Sequence, residues 1–183
     1  MRRMVIVGLT SLAVLAAAGA AQSQPAAPSA PSSGVGGSVA QVIEQACLPL
    51  IHGQNIKSVA AALGLKRSRD QWMLPLPGVA QVLLSPPTTA NPNVCTLNVS
   101  YEVDQTKALV DSLSGWAAAQ TPPLAPQDAG YQLSPGVTSW SWTSDTAQAH
   151  EALVFNAQRD ADGKPLGRNA DVGTILFSWR PGP

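Results

Sequence analysis

The chain has 183 residues, 45% of them apolar and 12% charged, with 11 basic against 11 acidic side chains. That balance excludes a polyanion binder, whose affinity rests on clustered Lys and Arg, so nucleic acid is not an expected partner. Two cysteines and two histidines, without ligand spacing, do not make a metal centre, and no cofactor motif occurs, so neither a metal nor a cofactor is expected.

The chain opens with Arg2 and Arg3, an uncharged apolar run from Met4 to Ala18, and the small residues Ala18-Gly19-Ala20-Ala21. This order predicts a secretory signal peptide over residues 1–21, cleaved after Ala20 or Ala21. An apolar run of about 15 residues falls short of the roughly 20 that span a bilayer, so no membrane insertion is expected after cleavage. Removing two of the 11 basic residues would leave a slightly acidic mature protein. Residues 22–37 are almost entirely Ala, Pro, Ser and Gly, which predicts a flexible linker, because such a stretch cannot repay its ordering entropy. Residues 38–183 have the length of a single domain. The Ala-rich, Lys-poor export segment points to a bacterial protein, periplasmic or secreted.

A first helix is predicted from Ser38, with Gln41 completing a capping box and Val39, Ile43, Ala46, Cys47 and Leu50 on one face. Pro49 and the His52-Gly53 pair should end or kink it. A second helix should run from Asn55 to Leu63, stopped by a left-handed Gly64. The basic cluster Lys66, Arg67 and Arg69 reads as a solvated turn. Two strands, Gln71 to Leu76 and Val79 to Leu84, flank a Pro77-Gly78 turn. Val94 to Glu102 alternates most clearly, with Cys95, Leu97, Val99 and Tyr101 facing one way. Asp104 is the expected cap of a third helix reaching Gln120, with Trp116 inward. Further strands are predicted near Gly130 to Leu133, Val137 to Thr143, Ala149 to Gln158 and Asp171 to Arg180.

Helix-then-strands occurs twice along the chain, and Pro77-Gly78-Val79 echoes 58 residues later as Pro135-Gly136-Val137. The expected fold is therefore α+β, a mostly antiparallel sheet backed by helices, with a pseudo-symmetric arrangement of two helix-then-strands halves. In an exported protein Cys47 and Cys95 are expected to form one disulfide.

Signals of chemistry are sparse. No G-x-S-x-G elbow or S-x-x-K occurs among the many serines. Asp160-Ala161-Asp162-Gly163 shares only its first residues with a calcium loop, since Lys164 and Pro165 stand where a ligand and a glycine belong; it reads as a turn. Asn98-Val99-Ser100 matches a glycosylation sequon but lies mid-strand. Trp140 and Trp142, two apart on a strand, share one face. They are candidate ligand-binding residues for a sugar or a protein if exposed, and core residues against the third helix if not. The expected function is an exported, non-catalytic binding or interaction protein whose partner is a protein or a glycan. The alternatives are a small secreted hydrolase using His52 or His150, and a structural accessory of the cell envelope. No catalytic residue follows from the sequence.

Overall fold

Four α-helical segments and eight strands make up the described residues, 34–76 and 80–182 of a computed structural model. The predicted signal peptide, most of the predicted linker and the predicted Pro77-Gly78 turn lie outside the described residues. The helices are α1 (Val35–Val42), α2 (Leu48–Ile51), α3 (Ile56–Leu63) and α4 (Thr106–Ala119). The strands are β1 (Lys66–Ser68), β2 (Gln71–Pro75), β3 (Gln81–Ser85), β4 (Val94–Glu102), β5 (Ala125–Ser134), β6 (Val137–Asp145), β7 (Ala149–Gln158) and β8 (Ala170–Pro181).

Helix α1 begins ahead of the expected Ser38 cap, with Gly34 in the cap position. Ser38 sits inside the helix, its hydroxyl donating to the Gly34 carbonyl at 3.2 Å. Tertiary packing explains the early start: Gly36 is buried against α4, where a Cβ would strike the Ser112 side chain. A segment that composition alone assigns to the linker is thus helical because its lack of side chains lets two helices approach. A π-helical turn, Ile43–Cys47, joins α1 to α2, with the Leu48 N–H bonded to the Ile43 carbonyl. It lies just before Pro49, which has no N–H to continue an α-helical ladder. The predicted apolar face is buried throughout, and Gly53, at φ 86, turns the chain after α2. At α3 the Asn55 side chain caps by accepting from the Lys57 N–H, and Gly64 is left-handed at φ 66.

All eight strands form one antiparallel sheet in the order β1-β2-β3-β4-β8-β7-β6-β5. Each half is a four-stranded meander preceded by helix, and the two meanders meet along β4 and β8. The strand order is pseudo-symmetric, but the sequence echo is not its trace. Pro135-Gly136 joins β5 to β6, whose counterpart in the first half is the β1–β2 turn, whereas Pro77-Gly78 falls between β2 and β3.

One face of this sheet carries the core. Cross-strand neighbours run in rows through it: Leu84, Leu97, Ile175, Phe155 and Trp140 in one, and Cys95, Phe177, Leu153 and Trp142 in the next. The same buried cluster takes in Val39, Ile43, Leu50, Val59, Leu109 and Leu113 from the helices. Each such side chain contributes about 1.5–3 kcal/mol on burial. Gly173 belongs to this face, and a Cβ there would run into the Phe155 ring. Cys47 and Cys95 are bonded and fully buried, with Cα atoms 5.4 Å apart, so the bridge pins the π turn to β4.

Three local expectations need correction. Lys66 and Arg67 lie on β1, an exposed edge strand rather than a turn; charge on a short edge strand discourages pairing with other chains. Asp104 does not cap α4. It is left-handed at φ 67, its N–H donates to Asp171, and Gln105 takes the cap position without a side-chain bond. Strand β5 is longer than predicted and almost wholly exposed. Its register shifts at three places, which removes the alternation that marks a strand in sequence.

Candidate functional site

The structure separates the two histidines. His52 follows α2 on the core side of the sheet, where its ring meets Trp179 edge-on at 4.9 Å. Glu151 is the cross-strand neighbour of Trp179 on one side and of Ser144 on the other. Burial raises the Glu151 carboxyl above the ordinary glutamate range, and the nearby His52 partly offsets that rise. His150, one residue earlier on β7, faces the other side of the sheet and pairs with Asp145. Strand alternation therefore prevents His52 and His150 from joining one site with a shared carboxylate.

Trp140 and Trp142 both face the helices. Trp142 is 4% exposed within the core. Trp140 is half-buried and stacks on Phe155, ring centroids 5.5 Å apart and 19° between planes. Trp116 packs edge-on against Phe177 at 5.7 Å and donates its Nε1–H to Glu44 at 3.0 Å. Aromatic rings thus floor the helix–sheet interface. The Asp160 loop is a turn closed by its own side chain, whose Oδ1 accepts from the Asp162 and Lys164 N–H groups.

Two polar constellations escape sequence reading. In the first, the buried Asp171 accepts from Arg159 at 2.7 Å and from the Asp104 N–H at 3.3 Å, and Asp104 also lies 3.6 Å from Arg159. The hydrogen bond to Asp171 raises the Arg159 guanidinium further, so it is charged at any physiological pH. This network ties the start of α4 to β8 and to the end of β7. Tyr101 stands beside it, bonded to Thr106 at 3.2 Å, its hydroxyl pushed up chiefly by burial.

The second lies on the sheet face turned away from the helices. Register aligns Leu83, Asn98, Thr174, Asn156, Ser139 and Tyr131 as successive cross-strand neighbours from β3 to β5. Gln158 donates to Thr174 at 3.3 Å, and Thr174 donates to Asn98 at 3.1 Å. The Asn156 Oδ1 has no hydrogen-bond partner among the described residues. The Asn98 alternation hinted at this face in sequence, but the row itself exists only through pairing of strands far apart in the chain.

Among the described residues no group of three or more His, Cys, Asp or Glu side chains is gathered to hold a metal ion, and no helix is long and apolar enough to cross a membrane. Comparison of the chain with family models, with curated proteins and with solved structures finds no match.

Proposed function

We propose that this is an exported, non-catalytic binding module whose ligand docks on the helix-free face of the sheet. The observation that supports the reading is the contrast between the two faces. One is filled with aromatic and aliphatic side chains and roofed by helices; the other is half-exposed over β3, β4, β8 and β7, with Ser139 and Ser141 of β6 buried, and contributes nothing to the core cluster. Leu83, Leu176 and Val154 lie partly exposed on that face, and apolar side chains left at a surface among polar ones mark interaction sites. A buried disulfide fits an oxidising compartment, in keeping with the export signal read from residues 1–21. The placement of His52 and His150 on opposite faces counts against a hydrolase that draws on both, and leaves only one built on a single histidine.

The test is retention of envelope components on the immobilised protein, comparing the parent with Leu176→Arg, a change at the middle of the helix-free face. The reading expects a component held by the parent and lost by the variant at unchanged melting temperature. His52→Ala and His150→Ala should retain it. A parent that holds nothing, while copurifying with envelope material in a manner insensitive to Leu176→Arg, is instead a structural accessory.

A further inference from the structure

We propose that the helix-free face binds an uncharged polysaccharide laid across the strands along the Asn98–Thr174–Asn156 row; this rests on the reading of that face as the binding surface. The chemistry of the row carries the assignment. Its central members are two carboxamides and a hydroxyl, groups that offer donors and acceptors side by side, as sugar hydroxyls do. Gln158, Thr174 and Asn98 already form a directed chain of hydrogen bonds, while the neighbouring Asn156 carbonyl oxygen is unpartnered. That oxygen is itself enclosed, so the row meets a ligand through its neighbours, whose side chains the hydrogen-bond chain already holds in place.

Charge narrows the ligand. On this face Lys66, Glu102, Asp128, Asp145, His150 and Arg180 stand at the margins, on edge strands or at strand ends. Between them the outward positions of β3, β4, β8, β7 and β6 carry no Asp, Glu, Lys or Arg. An anionic or cationic ligand would meet no countercharge there, and its charge would be desolvated without compensation. A neutral chain of hydroxyls incurs no such cost.

The ends of the row suit ring stacking. Tyr131, 44% exposed, closes it at β5, where a pyranose can lie on the phenol face. Leu83 and its cross-strand neighbour Met73 provide an apolar surface at the other end. With strands about 4.8 Å apart, the six positions from Leu83 to Tyr131 span about 24 Å. That length accommodates several sugar rings, so that many weak contacts add up along a preformed surface.

Affinity electrophoresis tests the assignment, running the full mature chain through native gels that contain hydroxyethylcellulose, dextran, soluble starch or the anionic alginate. The expected result is retardation by at least one neutral polymer and none by alginate. Tyr131→Ala should weaken that retardation at least tenfold without lowering the melting temperature, because the ring is exposed. Asn98→Ala is a second, independent variant expected to weaken it. Retardation by no neutral polymer, by alginate alone, or equally in parent and variants overturns the proposal. A protein ligand lost on Leu176→Arg would overturn the glycan while leaving the binding face in place; loss of nothing in either assay overturns both.

Discussion

Trp142 and Trp140 share a face of β6 yet stand to lose different amounts on truncation. Trp142 is enclosed, so Trp142→Ala should cost roughly 3–5 kcal/mol, the range for a buried large aromatic, and melting of the single variant measures it. Trp140 is half-buried, and its replacement by Ala should lower the melting temperature by less. The spacing of the two rings was plain in sequence, but which one sits under the helices was not. That depends on β5, whose Gly130 lies against the Trp140 indole. Asp171 is the opposite case, a buried carboxylate that nothing local marks, because its partner Arg159 comes from the preceding strand and loop. Arg159→Ala should cost about 2–3 kcal/mol, less than the about 3–5 of a fully enclosed pair because the arginine is partly solvated. Chemical denaturation measures it. Glu151 makes stability depend on pH. Its folded-state pKa lies above that of the unfolded chain, chiefly through burial. The protonated form is therefore the one that suits the fold, and this contribution is present in acid and lost as pH rises through the elevated pKa. Glu151→Gln should accordingly raise the melting temperature at neutral pH and flatten its fall above the ordinary glutamate range. A variant less stable than the parent at pH 7 would contradict this.

Elements with strong alternation or capping were legible. Strands β4 and β7 occupy the predicted ranges, and the Asn55 and Gly64 ends of α3 follow from the chemistry of those residues. Elements whose identity depends on distant packing were not. The first turn of α1 is helical through contact with α4. β5 is a strand only because it pairs with β6, and β1 is a strand only because β2 lies beside it. The disulfide belongs to the legible class, since two inward cysteines allow only one pairing within the chain. It closes a loop of 48 residues, worth about 4 kcal/mol in the chain-entropy account. Reduction should therefore lower the melting temperature strongly while a Cys47→Ala, Cys95→Ala pair shows a comparable loss, measured by calorimetry with and without reductant. An unchanged melting temperature would mean that the helical layer holds to β4 without the bond. The polar row was illegible for a related reason: Asn98, Asn156 and Thr174 are ordinary outward strand residues until register brings them into line.

At the scale of the molecule, two meanders of adjacent hairpins share a single seam. Every pairing except β4 with β8 joins strands that follow one another in the chain. The outermost strands β1 and β5 have one neighbour each, whereas β4 and β8 are paired on both sides. Amide exchange should therefore be fastest in β1 and β5 and slowest in β4, β8 and β7, which open only with the whole domain. That seam also sets the order of assembly. Hairpins close short loops and form early, but the seam must bridge everything between Glu102 and Ala170 before its first bond is made. The bridging distance is least at that end and grows toward the Val94–Ser178 pair, so the seam should close like a zipper from Glu102 outward. In refolding kinetics, Val99→Ala, near the starting end, should slow folding, while Phe177→Leu, near the finishing end, should mainly hasten unfolding.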